Sequence, residues 1–165
     1  MKTIITEKPS VARDIAKVLK VTERKDGYFE GNGYFISWAF GHLVHLAYPE
    51  SYDEKFKSWR MSDLPIIPDN FIKELQKDDS IKKQFNTIKS LLNNDKVTEV
   101  ICATDAGREG ELIFRFIYER AECKKPIARL WISSQTDKAI SDGFSALKTG
   151  EEYQPLYDSA ISRTE

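Results

Sequence analysis

Residues 102–112 read C-A-T-D-A-G-R-E-G-E-L, and the fold turns on how they are parsed. An apolar run from Val97 ends at Thr104, and Asp105 follows at once. Gly107 and Gly110 flank Arg108 and Glu109, and Asp105, Glu109 and Glu111 set three carboxylates within seven residues. A buried strand that turns into a helix at Arg108 fits this pattern. Apolar runs of this length suit strands, and glycine permits unusual backbone angles in a tight turn. Two readings of the charge stay open on these residues alone. Asp105 caps the helix while Glu109 and Glu111 complement its positive N-terminal end, or the carboxylates hold a metal ion.

The same construction recurs at the amino end. K-T-I-I-T, residues 2–6, is a short β-branched run suited to a buried strand, and E-K-P-S comes directly after it. Pro9 fits a first helical turn, where a missing N–H costs nothing. Ala12, Ile15, Ala16 and Leu19 then recur at helical spacing. Beyond this, Y-F-E-G-N-G-Y-F-I-S-W carries two β-rich flanks around Gly31-Asn32-Gly33, a hairpin signal. The chain from Ala47 to Asn70, with Pro49, Pro65 and Pro68, reads as a long irregular surface excursion.

A second helix is expected over Phe71 to Asn94, with Ile81, Phe85, Ile88 and Leu92 inward and a break near Asp78-Asp79. The run Val97 to Thr104 is a strand, and Arg108 to Ala121 a helix with Leu112, Ile113, Phe116 and Ile117 inward. Ile127 to Ile132 reads as a strand, and Asp137 to Leu147 as a helix burying Ile140, Phe144 and Leu147. This alternation predicts an α/β fold with a mostly parallel central sheet covered by helices on both faces. The division expected is one domain over residues 1–150, with 151–165 beginning a helix that connects to a further domain of a longer chain.

Composition narrows the possibilities. The two cysteines, Cys102 and Cys123, have no metal-ligand or redox spacing. No apolar run approaches a membrane span, and the first residues are too short for a signal peptide, so the chain reads as soluble and cytoplasmic. Lys and Arg number 25 against 26 Asp and Glu. A domain that grips nucleic acid unaided is usually basic, so the balance argues weakly against that role and says nothing of a local patch.

In open α/β sheets, ligands collect beyond the carboxyl ends of the strands. Two strands here end on acidic residues, at Glu7 and at Asp105. If they are neighbours, Glu7, Asp105 and Glu109 converge on one edge, and clustered carboxylates favour a hard cation, above all magnesium. Lys8 and Arg108, both near helix starts, suit a phosphate drawn to that edge. Metal, cations and a poised carboxylate together suggest phosphoryl transfer. The sequence lacks G-x-x-x-x-G-K-[ST], the usual nucleotide-binding loop. His42 and His45 lack the partners of a zinc site and read as packing or hydrogen-bonding groups. D-E-K-F-K-S-W-R, Asp53 to Arg60, interleaves aromatics with cations. It is either a contact for single-stranded nucleic acid or a solvated loop with Trp59 pinned to the core.

T-E-K-P-S at the amino end and T-D-A-G-R-E-G-E about a hundred residues on together resemble the Toprim domain of type IA DNA topoisomerases. Three further blocks keep the order seen in bacterial topoisomerase III-like members: F-G-H-L-V-H-L-A-Y-P-E-S-Y-D, W-R-M-S-D-L-P-I-I-P and R-L-W-I-S-S-Q-T. S-R-T-E resembles the segment that leads into the family's next domain. The resemblance implies a Rossmann-like Toprim fold forming the N-terminal domain of an enzyme that cleaves one DNA strand with a tyrosine, passes another strand through and reseals. It implies that Glu7 handles the proton on the leaving 3′-oxygen, a role that needs a raised pKa. It further implies that Lys8 stabilises charge on the scissile phosphate and that Asp105 and Glu109, with Glu7, hold Mg2+. Arg108, Arg163 and His42 are then candidates for contacting DNA or phosphate.

The implied partners are single-stranded DNA and the remaining domains of the same enzyme, in a bacterial cytoplasm, at the chromosome or a plasmid. Toprim also occurs in nucleases and primases, so a self-sufficient phosphoryl-transfer enzyme and a non-catalytic α/β interaction module are the alternatives. Two departures stand out. Where the family's acidic motif often reads D-x-D-x-E, the middle position here is Gly107. None of the seven tyrosines sits in a Y-P-R-T-like segment, so the chain is expected not to cleave DNA alone.

Overall fold

The computed structural model describes residues 1–164; Glu165, the last residue of the expected connecting helix, lies outside them. The described residues form nine strands and five α-helices. Strands β1 (Lys2–Thr6), β2 (Glu23–Lys25), β3 (Tyr28–Gly31), β4 (Tyr34–Trp38), β7 (Glu99–Ala103), β8 (Ile127–Arg129) and β9 (Lys148–Thr149) form one sheet in the order β2-β3-β4-β1-β7-β8-β9. β4, β1, β7 and β8 run parallel, whereas β2, β3 and β9 pair antiparallel at the margins. β5 (Val44–Leu46) and β6 (Lys73–Leu75) make a separate antiparallel pair.

The central strands are apolar throughout because both faces are covered. Ile5, Val100 and Cys102 face a core shared with α2 (Asp79–Leu92), α3 (Arg108–Arg120) and α5 (Gln154–Thr164). Ile4, Ile101 and Ala103 face the opposite core, filled from α1 (Pro9–Val18) by Val11, Ala12 and Ile15 and from α4 (Asp137–Phe144) by Ile140. The expected α/β class, inward faces and central strands are those observed. The hairpin closes through Asn32 and Gly33, both at positive φ, with Gly31 opposite Tyr34. That is the backbone a two-residue hairpin turn demands.

Three elements differ from expectation. The helix expected from Phe71 begins only at Asp79, because Lys73–Leu75 instead pairs with Val44–Leu46. The Asp78 carboxylate accepts the N–H groups of Ser80 and Ile81 at 2.8 and 3.3 Å, so the expected break is the helix start. The strand from Ile127 stops at Arg129, and the helix from Asp137 stops at Phe144, beyond which Lys148–Thr149 becomes an edge strand beside β8. The excursion from Ala47 to Asn70 is irregular as expected, with short 3-10 turns at Pro49–Ser51, Glu54–Lys57 and Met61–Asp63. Trp59 is not pinned to the core: it is 81% exposed. The 3-10 turns on either side of it bury no residue, so nothing there anchors the loop to the core. α5 packs along α3 and buries Tyr157 and Ala160 there.

Candidate active site

The parallel register fixes the site. Thr6 of β1 lies between Trp38 of β4 and Ala103 of β7, so the loops leaving all three strands emerge at a single edge. After β1 come Glu7 and Lys8. Lys8 takes the extended N-cap position of α1, its carbonyl accepting from Thr6 Oγ1 at 3.0 Å. After β7 come Thr104 and Asp105, then the entry to α3. After β4 the chain folds over the end of β1, Ala39 and Gly41 donating their N–H groups to the carbonyls of Thr6 and Glu7. His42 is next, its carbonyl held by the Gln76 side-chain amide at 2.6 Å.

Lys8 is the hinge of the charge arrangement. Its Nζ lies 3.9 Å from Glu7 Oε1 and 3.8 Å from Asp105 Oδ2. Glu7 is mostly enclosed, at 14% side-chain exposure, whereas Lys8 and Asp105 are more than half exposed. Pairs this open and this long contribute little to stability. They set an ammonium group at the open edge between the two carboxylates. Glu109, in the first turn of α3, meets His42: its Oε1 and His42 Nε2 are in hydrogen-bond contact. Arg108 is exposed at the first position of α3. Glu7, Lys8, Asp105, Arg108, Glu109 and His42 therefore share one edge.

Arg163 does not join them. It is exposed near the end of α5, whose side-chain contacts fall on the second half of α3, Gln154 on Arg115 and Tyr157 on Glu119.

The turn itself depends on close packing more than on backbone angles. A Cβ on Gly110 would lie 2.1 Å from the carbonyl oxygen of Asp105, which no side chain tolerates. Thr104 Oγ1 donates to the Gly110 carbonyl at 2.7 Å and locks the approach. Gly107 is different: its φ of 172° is ordinary extended backbone, and a Cβ there would meet nothing within 4 Å.

Beneath this turn lies a group whose members Arg129 and Glu111 fall in two of the quoted motif blocks but whose role there was not read from the sequence. Arg129, at the end of β8 and 1% exposed, donates to the carbonyls of Thr104 and Asp105, each at 2.8 Å. Its Nε lies 3.2 Å from Glu111 Oε2, and the other oxygen of that buried carboxylate accepts from Arg115 Nε at 2.9 Å. Glu111 is thus an internal strut between two guanidinium groups and not a surface complement to the helix end. The Glu111–Arg115 spacing at i,i+4 carried part of this signal. The partnership with Arg129 depends on the β7–β8 pairing, which no local pattern reveals. Behind the edge, burial pushes the Cys102 thiol up, which keeps it a packing residue.

Carboxylate oxygens on exposed side chains suit Mg2+, which keeps several waters and takes one or two carboxylates. Asp105 and Glu109 carry exposed carboxylates of this kind, and Glu7 follows the neighbouring strand. As placed, Glu109 faces His42, and Lys8 stands between Glu7 and Asp105. No three His, Cys, Asp or Glu groups converge as a metal-holding set among the described residues.

Comparison with known proteins agrees with the fold and the motifs. The family profile of the Toprim domain matches residues 2–135. DNA topoisomerase 3 of Bacillus cereus is 55% identical over 162 residues, and that of Bacillus subtilis 53% identical over 162 residues. Each alignment covers 98% of this chain and 22% of the relative, so the chain spans about a fifth of the length of the relatives it matches. Full-length topoisomerase I of Thermotoga maritima superposes with a TM-score of 0.53 at 21% identity, covering 89% of this chain and 21% of that one, a likeness of fold.

Proposed function

Because this chain belongs to the Toprim domain family, we propose that its strand-end edge is the metal-binding half of a type IA topoisomerase active site of the topoisomerase III kind. The observation that carries this reading is the convergence of β4, β1 and β7. It sets the Lys8 ammonium within 4 Å of both Glu7 and Asp105, with Glu109 and His42 alongside. In this reading, Lys8 is the fixed positive charge for the scissile phosphate of a single DNA strand, a role that depends on its being held in place beforehand. Glu7, enclosed beside it, holds or returns the proton of the leaving 3′-oxygen. Arg108, at the start of a helix whose N–H groups point outward, draws the phosphate to the same edge. His42 orients Glu109 and adds a hydrogen-bonding group for DNA, and Arg163 contacts the strand away from the edge.

Toprim domains generally bind Mg2+. Here Asp105 and Glu109, with Glu7, would hold it, and the ion would neutralise charge on the phosphate oxygens. Residues 1–150 form the Toprim unit, and 151–165 begin the link to the domain that carries the tyrosine nucleophile. The working location is the bacterial cytoplasm; no helix among the described residues is long and apolar enough to cross a membrane.

The test is a cleavage assay with the purified chain, end-labelled single-stranded DNA and Mg2+. The expected result is neither nicking nor a covalent protein–DNA adduct. An adduct would place the nucleophile inside this chain and overturn that part of the reading. Magnesium-dependent nicking that disappears in Asp105→Asn would instead favour a self-sufficient Toprim nuclease.

A further inference from the structure

Beside the edge lies a hollow of about 590 Å3 that none of these roles uses. Its base is apolar, from Val11 of α1, Ala103 at the end of β7 and Ile132. Asp105 stands on one side. The crossing segment after β8, with Ser133, Ser134 and Gln135, stands on the other. We propose that this hollow binds a nucleobase of the DNA strand next to the scissile phosphate, the ring lying on the apolar base and its polar edge read by Ser133 and Gln135. The inference rests on the reading of the edge as a DNA-cleaving half-site.

The chemistry of the hollow fits a base better than a phosphate. A volume of this size lies in the range of small-ligand pockets, which combine an apolar lining with a few polar groups that fix orientation. Among the described residues, no lysine or arginine lines the hollow to hold a phosphate, whereas its apolar and neutral polar side chains suit a neutral heterocycle. Ser133 and Gln135 are exposed, and neither side chain makes a hydrogen bond within the chain among the described residues, so their donors and acceptors are open to a ligand. A glutamine amide offers one donor and one acceptor side by side, the arrangement that pairs with a base edge.

The crossing is also held still. Trp131 stacks on Tyr153 with ring centroids 5.0 Å apart, and the Arg129 guanidinium lies over the Trp131 ring. At the other end, Thr136 caps α4 by accepting from Ala139 N–H. Between them, Ile132 packs against Gly143, where any Cβ would stand 2.6 Å from Ile132 Cγ2. Asp105 belongs both to the rim and to the Lys8 contact, so an occupant of the hollow is adjacent to the phosphate that Lys8 meets.

The experiment is an NMR titration of the 15N-labelled chain, in Mg2+, with short oligodeoxynucleotides of adenine, cytosine or thymine and with an abasic deoxyribose-phosphate oligomer of equal length. The expected result is that base-bearing strands shift the Gln135 side-chain amide and the Ser133 and Val11 amides together with Lys8 and Asp105. The abasic strand should shift only the latter pair. Gln135→Ala and Ser133→Ala should each weaken the preferred base-bearing strand about 5-fold, the effect of one net hydrogen bond, and leave abasic binding unchanged. Shifts at Lys8 and Asp105 alone, or equal affinity for abasic and base-bearing strands, would overturn the base pocket and leave the edge reading in place. No shift at either place would overturn both.

Discussion

Gly107 and Gly110 stand in one turn and answer to different constraints. Gly110 is required by contact, since a Cβ would strike the Asp105 carbonyl. Gly110→Ala should therefore cost about 3 kcal/mol, at the upper end of overpacking effects, read as a lowered denaturation midpoint. Gly107 caps α3 in extended backbone with open space around its Cα. Gly107→Asp should leave stability unchanged or raise it by a few tenths of a kcal/mol, since aspartate is a better N-cap than glycine. It should also tighten Mg2+ binding in calorimetry by adding a carboxylate to the edge. The sequence showed the missing carboxylate here through the family pattern. It could not separate the two glycines, because a close approach belongs to the packed turn.

Short elements mark the limit of what the chain's pattern reveals. β1, α1, the hairpin, β7 and α3 were legible because each combines a continuous apolar run or a periodic apolar face with a turn or stop signal, and β1, α1, β7 and α3 bury those residues where expected. β5, β6 and β9 were not, since strands of two or three residues carry no period and exist only through their partners. The start of α2 shows the same competition. Hydrogen bonds from Ser80 and Ile81 hold the Asp78 carboxyl below its usual value. A depressed folded-state pKa means the cap stabilises the fold above the unfolded value near 3.8 and loses that effect as pH falls through the folded value. Asp78→Ala should thus lower the melting temperature at neutral pH, with the gap from the parent closing on acidification.

Arg129 is the element-scale feature with the largest expected effect, because it ties β8 to the β7–α3 turn through buried groups. Arg129→Met should cost about 3–5 kcal/mol in urea denaturation, the range for breaking one side of a buried ion pair. Adding Glu111→Gln should deepen the loss, because Glu111 stays paired with Arg115 and its removal leaves that guanidinium without a carboxylate.

At the scale of the whole molecule, topology does the assembling. Parallel pairing of β1 with both β4 and β7 brings residues far apart in sequence, His42, Glu7, Lys8, Asp105 and Glu109, to one edge. The strand ends were readable, and so was the acidic character of the edge. The placement of Lys8 between two carboxylates and the turning of Glu109 to His42 were not, because they depend on how three loops settle together. With cations and carboxylates nearly balanced over the chain, affinity for DNA should come from this edge and its neighbouring hollow, without help from a generally basic surface.

Mg2+ binding at the edge through Asp105 and Glu109 is the claim on which the functional reading depends. It is tested most directly by titrating the 15N-labelled chain with MgCl2 beside its Asp105→Asn variant. The predicted result is saturable shifts gathered at Glu7, Lys8 and residues 105–109 in the parent, and their loss in a variant whose spectrum is otherwise folded. Shifts scattered over surface carboxylates, equal in parent and variant, or no saturable shift at all, would contradict it.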